Sequence, residues 1–248
     1  MWFCLVTSFP FLSERLPVTQ FEYFSLSRVG EARDVVVVID VLRAFTTAAY
    51  AFERGAEKIL PVSSIADAFN LKTQFPESLI MGEENGVKPE GFDFGNSPMV
   101  ISKQDLKNRT MIQRTSAGTQ GLTRTKNHQI LIAASFVVAG STAKFLKSIN
   151  PETVSFIITG QSMGRDGDED RACAEYIERL YLGDEPIPED FTARILNSTV
   201  GQSFIKENLR YLTQADIELS SLVDVFDFVM LMKKENSHHV LYPRWFQE

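Results

Sequence analysis

The chain has 248 residues, enough for one large α/β domain or two small ones. Its composition, 44% hydrophobic and 23% charged, is that of a folded globular protein and argues against long disordered segments. The formal net charge of -7 at pH 7 argues against a nucleic-acid or anionic-membrane partner, because both need a concentrated basic face.

The beginning of the chain predicts a strand rather than a targeting segment. Residues 2–6 are apolar, but no basic segment precedes them and no long apolar run develops, so we predict no signal peptide. Residues 9–30 are aromatic and interrupted by prolines, which favours a segment that covers the core. No run approaches the roughly 20 apolar residues of a membrane span. Cys4 and Cys173 lack CxxC spacing, which indicates core thiols and a cytoplasmic protein.

From residue 33 onward, predicted strands and helices alternate. The β-branched run at 35–40 has the length and composition of a strand buried on both faces. The elements that follow are a helix at about 44–54, a strand at 57–62, a helix at 64–74 and a strand at 79–81, then strands at 110–114, 129–133 and 153–159 and helices at 137–148 and 171–182. This order predicts an α/β fold, a mostly parallel sheet with flanking helices and an active crevice at the strand carboxyl ends.

The character of the sequence changes after residue 183. Helices are predicted around 189–197 and 202–211, and a strand pair at 226–232 and 239–242. Because this part is short, we predict a single α/β domain over 1–248, with 184–248 as a C-terminal extension or subdomain.

A polar corner follows the buried strand at 35–40. Asp40 ends the strand, Arg43 comes next, and Thr46 and Thr47 lie where the helix begins. Ligands of open α/β sheets bind outside the strand carboxyl ends, and helix amino termini favour anions. This corner therefore predicts a metal-plus-phosphate site. Arg43 has two interpretations, a structural ion pair with Asp40 or a planar fork that holds phosphate or sulfonate.

Further carboxylates lie at strand ends and in glycine-rich loops, where they can share a crevice: Glu83, Asp93, Glu169 and Asp170. Mg²⁺ takes one or two such carboxylates together with substrate oxygens and waters. The alternative for each acid is a helix cap or a solvated loop residue.

The turn at 115–121 is rich in glycine and hydroxyl groups. Its Thr115, Ser116, Gly118 and Thr119 can form a backbone nest for an anion, although an ordinary strand-to-helix turn has the same composition. Ser97 precedes Pro98 and can cap a short helix to about 102.

Taken in order, these segments resemble the 2-phosphosulfolactate phosphatase family over about residues 34–183. The motifs that carry the resemblance are DVLRAFTT at 40–47, GE at 82–83, GFDFGNSP at 91–98, TSAGT at 115–119, ASF at 134–136 and EDRACA at 169–174. Members of the family are Mg²⁺-dependent phosphatases with an α/β fold that act on phosphorylated 2-hydroxy acids in coenzyme M biosynthesis.

The residues and the resemblance together predict a Mg²⁺-dependent phosphatase that hydrolyses the phosphate monoester of a small 2-hydroxy acid. The expected substrate is 2-phosphosulfolactate-like, and the products are a sulfolactate-like acid and inorganic phosphate. The predicted catalytic residues are Asp40, Arg43, Glu169 and Asp170. The predicted substrate-binding residues are Thr46, Thr47, Asn96, Ser97, Thr115, Ser116, Gly118 and Thr119. The predicted metal ligands are Asp40, Glu83, Glu169 and Asp170.

The alternative is a non-catalytic protein that binds an anionic metabolite on the same scaffold. The sequence departs from the family's usual residues at Phe45, at Ala117 and at the pair Glu84–Asn85, and the first two departures carry this alternative. On either interpretation the partner is a small anionic molecule, phosphorylated if it is a substrate. Monomers and homo-oligomers are both compatible with the sequence.

Overall fold

The computed structural model describes residues 18–162, 164–207 and 212–246. The strand predicted at 2–6, Cys4 and the last four residues of the helix predicted at 202–211 lie outside these residues. Within them, nine strands form one mixed sheet: β1 Gln20–Ser25, β2 Val35–Ile39, β3 Lys58–Val62, β4 Leu79–Gly82, β5 Thr110–Arg114, β6 Ile130–Ala134, β7 Thr153–Ile158, β8 Phe228–Glu235 and β9 His238–Trp245.

Helices connect these strands and cover the sheet. They are α1 Ala44–Glu53, α2 Ile65–Gln74, α3 Pro98–Ile101, α4 Gly118–Arg124, α5 Ala139–Ile149, α6 Asp168–Leu182, α7 Pro188–Asn197, α8 Thr199–Glu207 and α9 Gln214–Ser220, with short 3-10 segments at Leu26–Glu31 and Phe136–Val138. In the part of the chain that is described, none of the helices has the length and apolar character needed to cross a bilayer.

The strand order is β1-β7-β2-β6-β8-β9-β3-β5-β4. Two parallel groups, β1-β7-β2-β6 and β3-β5-β4, flank the antiparallel hairpin β8-β9. Because the hairpin pairs antiparallel with β6 and with β3, the two parallel groups run in opposite directions. The predicted mostly parallel α/β fold is confirmed, and residues that follow residue 183 supply two central strands. The single-domain organisation stays a prediction.

Strand β2 is the most deeply buried part of the sheet. All five of its side chains are buried, Val36 and Val38 in the apolar cluster on one face and Val35, Val37 and Ile39 in the cluster on the other. Complete burial of a Val or Ile side chain contributes about 1.5–3 kcal/mol to stability. The strand therefore gives a rigid base to the polar corner at its carboxyl end.

Most predicted elements are confirmed to within a few residues, and three differ. Residues 20–25 were expected within a covering segment, but they form edge strand β1 along β7, because Phe21 and Tyr23 pack against the core. Helix α6 begins at Asp168 rather than 171, since three acids in its first turn favour the positive helix terminus. Strand β8 continues to Glu235, which leaves a tighter hairpin than expected.

Candidate active site

A cavity of about 320 Å³ lies where loops from both parallel groups converge. Its polar lining includes Asp40 after β2, Glu83 after β4, Ser116 after β5 and Arg165 after β7. The predicted crevice at the strand carboxyl ends is therefore present. The two parallel groups run in opposite directions and are joined on one side by a single bridge, Ile59 to Leu241, yet their loops meet here, since Gln113 of β5 donates to the carbonyl oxygen of Ala44 at 2.8 Å.

Asp40 anchors the corner between β2 and α1. Its Oδ1 accepts hydrogen bonds from the amides of Arg43 and Ala44, both at 3.0 Å. Burial raises the pKa of Asp40, and the negative charge of Glu83 raises it further, whereas the amide of Ala44 and the positive charge of Arg165 oppose the change. One oxygen thus caps the helix start, and Oδ2 is left to face the neighbouring strand.

Asp170, in the first turn of α6, completes the same corner. Its Oδ1 accepts from the amide of Val41 at 2.8 Å and its Oδ2 from the amide of Gly160 at 2.7 Å. Burial raises the pKa of Asp170 well above its usual range, and the charges of Glu169 and Asp40 add to the effect.

The Thr159 hydroxyl lies between the two aspartates. Its Oγ1 is 2.9 Å from the carbonyl oxygen of Ile39, 3.3 Å from Asp40 Oδ2 and 3.2 Å from Asp170 Oδ2. A hydroxyl has a single hydrogen to donate, so it cannot satisfy three acceptors at once. Asp170 Oδ2 also accepts from the Gly160 amide, but Asp40 Oδ2 has no other donor among the described residues, so this oxygen is open to a proton or a cation.

Glu169 is also buried, at 3% exposure, and its Oε2 has no hydrogen-bond partner among the described residues. Burial raises the pKa of Glu169 to about 7, the Asp40 charge also raises it, and the Ser198 hydroxyl lowers it. The carboxylates of Glu169 and Asp170 can pack this closely against residue 160 because it is a glycine. A Cβ there would lie 2.7 Å from Glu169 Oε1 and 3.1 Å from Asp170 Oδ2.

Glu83 lies on another side of the cavity and is well satisfied by its surroundings. Its Oε1 accepts from the amide of Ser116 at 2.6 Å, and its Oε2 accepts from the amide of Gly86 at 2.5 Å and from the Ser116 hydroxyl at 3.1 Å. These bonds hold the loop after β4 against the turn after β5.

The structure brings five of the predicted site residues to the cavity wall: Asp40, Arg43, Glu83, Asn96 and Ser116. Glu169 and Asp170 lie directly behind Asp40 rather than on the wall. Asn96 is buried, and its Oδ1 has no hydrogen-bond partner in the described part of the chain.

The other predicted substrate-binding residues lie outside the cavity wall. Thr46 donates to the carbonyl oxygen of Val41, and Thr47 is buried without a hydrogen-bond partner for its hydroxyl among the residues described. Ser97 caps α3 and donates to Asp216 at 2.5 Å.

The side chains of Thr115 and Thr119 bind each other's backbone. Thr119 Oγ1 accepts from the Thr115 amide at 2.8 Å, and Thr115 Oγ1 accepts from the Thr119 amide at 3.0 Å. Gly118 lies directly against Asp40 and Ala44, so this turn packs against the corner between β2 and α1.

Sequence reasoning missed two residues, Thr159 and Arg165. Thr159 is the polar residue that ends a strand-like segment. Its position directly after β7, which pairs with β2, could have indicated that it lies close to Asp40. Arg165 lies in the polar loop before α6, but no neighbouring residue in the sequence indicates what it binds, so the sequence assigned it no role.

No group of three or more His, Cys, Asp or Glu side chains in the described residues is arranged to hold a metal ion. Mg²⁺ needs fewer, typically one or two carboxylates with substrate oxygens and waters. The aspartates around Thr159 and the unpartnered oxygens of Glu169 and Asn96 are hard donors of the right kind. The residues present therefore fit a divalent cation bound by a few protein oxygens.

The structure is thus a mostly parallel α/β protein whose cavity combines buried carboxylates with two arginines, groups that suit a metal ion and a small anion. Residues 24–235 match the family model described as 2-phosphosulpholactate phosphatase. The chain is 34% identical over 205 residues to the "Probable 2-phosphosulfolactate phosphatase" of Bacillus subtilis (strain 168), covering 82% of this chain and 88% of that protein.

Two further relatives carry the same description. The protein of Carboxydothermus hydrogenoformans is 44% identical over 165 residues, covering 66% of this chain and 68% of the relative. That of Thermotoga petrophila is 39% identical over 152 residues, covering 60% and 64%. The chain belongs to the 2-phosphosulfolactate phosphatase family, a family of phosphoric monoester hydrolases.

Proposed function

We propose that this protein is a Mg²⁺-dependent phosphatase that hydrolyses the phosphate monoester of a small 2-hydroxy acid. The substrate is 2-phosphosulfolactate or a close analogue, and the products are the free hydroxy acid and inorganic phosphate. The observation that carries the proposal is the pair Asp40 and Asp170, which share one hydroxyl beside a cavity lined by Arg43.

Each polar residue of the site is assigned a role from its position around the cavity. Asp40, with Glu169 or Asp170, would hold Mg²⁺, and Glu83, which lines the same cavity, would add negative charge beside them. Bound Mg²⁺ neutralises phosphoryl oxygens and activates or orients the nucleophile. Arg43 binds the phosphoryl group, where a planar guanidinium stabilises the charge that develops on the transferred oxygens.

Substrate contacts come from the remaining polar wall. Asn96 and Ser116 face the cavity and can bind phosphoryl or acid oxygens. Thr115, Gly118 and Thr119 keep the wall in place, and the hydrogen bonds of Thr46 and Ser97 support the elements that frame it.

Asp40 can act as a metal ligand or as a nucleophile. In the second route Oδ2 attacks phosphorus, the ester P–O bond breaks, the alkoxide takes a proton, and water then hydrolyses the acyl phosphate. Borohydride reduction of acid-quenched enzyme separates the two, because only an acyl phosphate converts the residue at position 40 into homoserine.

The experiment that tests the function is release of inorganic phosphate from a panel of 2-phospho-hydroxy acids, with Mg²⁺ and with EDTA. We expect turnover only with the metal, and its loss in Asp40→Asn. Asp184→Asn is the matched control, since it removes the same charge from an exposed ion pair with Arg179. Metal-independent turnover, or wild-type turnover by Asp40→Asn, would contradict the proposal.

A further inference from the structure

Arg165 is the second arginine of the cavity and lies on the loop between β7 and α6. Its Nη2 donates to the Ser162 hydroxyl at 3.0 Å, and its Nε lies 3.4 Å from the Ser162 carbonyl oxygen. The Arg165 amide donates to the same carbonyl at 3.1 Å. These contacts orient the guanidinium from one side, so its direction is set before a ligand arrives.

The opposite edge of this guanidinium is available to a ligand. Arg165 forms no ion pair with any carboxylate of the described residues, and no acceptor for its Nη1 occurs among them. Its positive charge nevertheless acts on Asp40 through space. An arginine that is oriented but lacks a carboxylate partner, in a cavity with several acids, is a strong candidate for binding an anion.

Depth separates the two arginines. Arg43 is buried, at 7% exposure, on the floor beside Asp40, whereas Arg165 is only partly buried. The residue after Arg165 ties the loop to the rim, because the Thr199 amide donates to Asp166 at 3.2 Å and Thr199 itself lines the cavity. A ligand with one anionic group at the floor and a second near the mouth would therefore contact both arginines.

We propose that Arg165 binds the second acid group of the substrate, the carboxylate or sulfonate, while the phosphate lies on the floor with Asp40 and Arg43. The inference rests on the proposed function and extends it. It makes Arg165 a specificity-determining residue that selects phosphate monoesters bearing a further acid group over those without one.

A matched pair of substrates tests this assignment: 2-phosphosulfolactate and isopropyl phosphate, which has methyl groups where the first has its carboxylate and its sulfomethyl group. We expect wild-type enzyme to prefer 2-phosphosulfolactate. Arg165→Gln should lower kcat/KM for 2-phosphosulfolactate by about 10- to 100-fold, mainly through KM, because a charged hydrogen bond is lost. The value for isopropyl phosphate, measured at the pH optimum of each variant, should change little, so the preference between the two substrates should disappear.

Two further variants separate binding from a general charge effect. Arg165→Gln removes the positive charge that acts on Asp40 and should shift the pH profile for both substrates, whereas Arg165→Lys keeps that charge and should keep the wild-type profile. Arg165→Lys should retain only part of the preference, since lysine lacks the planar fork. Arg28→Gln is the matched control, because it removes one positive charge from an exposed pair with Glu31. Equal losses on both substrates in Arg165→Gln would overturn the proposal.

Calorimetric titration with lactate and with sulfolactate gives a readout that needs no turnover. Weaker binding to Arg165→Gln than to wild type and Arg28→Gln supports the assignment, and the acid that loses more affinity identifies the group that Arg165 contacts. Equal affinities overturn it. If wild-type enzyme releases no phosphate from any ester, the proposed function fails, but the titrations still decide the role of Arg165.

Discussion

Asp170 holds in place the backbone that presents Asp40. Its Oδ1 accepts the amide of Val41, the residue directly after Asp40, at 2.8 Å. Its Oδ2 approaches the Thr159 hydroxyl to 3.2 Å, and the same hydroxyl is 3.3 Å from Asp40 Oδ2. The two carboxylates are therefore coupled through a backbone contact and through a shared hydroxyl. A substitution of one carboxylate should change the position and the electrostatic environment of the other.

Asp170→Asn should lower catalysis without unfolding the protein. The amide oxygen can still accept from Val41, but the side chain loses its charge and the acceptor for Gly160. Loss of a residue that orients or completes a metal site reduces metal affinity or activity by about 10- to 100-fold. Steady-state kinetics against Mg²⁺ concentration, with the thermal midpoint measured in parallel, check this. Glu185→Gln, at an exposed position just after α6, is the control, and full activity in Asp170→Asn would contradict the coupling.

The stability of the metal-free protein should fall as pH rises from about 4.5 to about 7. The pKa of Glu169 is 4.5 in its unperturbed form and about 7 in the fold, so the folded state keeps a proton that the unfolded chain releases. A raised carboxyl pKa therefore destabilises the fold above pH 7, by roughly 3 kcal/mol for this shift, and the penalty vanishes below pH 4.5. The raised pKa values of Asp40 and Asp170 act in the same direction.

Urea unfolding in EDTA at pH 5 and pH 8 measures this dependence. Glu169→Gln should flatten it, whereas Glu77→Gln, at a side chain 94% exposed, should not. Mg²⁺ should recover stability at pH 8, because a cation offsets the charge that the proton otherwise neutralises. Stability that rises between pH 5 and pH 8 in the metal-free protein would refute the prediction.

The sequence could predict the polar corner because the residues that form it follow one another along the chain. A run of β-branched residues that ends in Asp40 indicates both a buried strand and an acid at its carboxyl end. The sequence could not predict the direction of the two parallel groups, because the pairing of β8 with β6 joins residues almost a hundred positions apart. Nor could it show which acceptor each hydroxyl takes. Thr115 and Thr119 have the composition of an anion nest, yet they bind each other.

Gly118→Ala should damage the site although alanine is a better helix former. In an ordinary helix this change stabilises by about 1 kcal/mol. Here the added Cβ would lie 2.7 Å from Ala44 Cβ and 2.8 Å from Asp40 Oδ2, inside a fully buried corner. We expect a loss of about 1–3 kcal/mol in stability, typical of overpacking, together with reduced kcat. Gly30→Ala, where no atom lies within 4 Å of the new Cβ, is the control for thermal denaturation and turnover.

Ser97→Ala should lower stability through Asp216. The Ser97 hydroxyl donates to Asp216 Oδ1 at 2.5 Å and accepts from the amide of Val100, so it joins α3 to α9 while it caps α3. Asp216 is 1% exposed, and removing one of its donors leaves a buried charge less well solvated. The expected loss is about 1–3 kcal/mol in urea unfolding. Ser102→Ala, which removes a partly buried hydroxyl bonded to the Met99 carbonyl, is the matched control. Unchanged stability in Ser97→Ala would contradict the structural role.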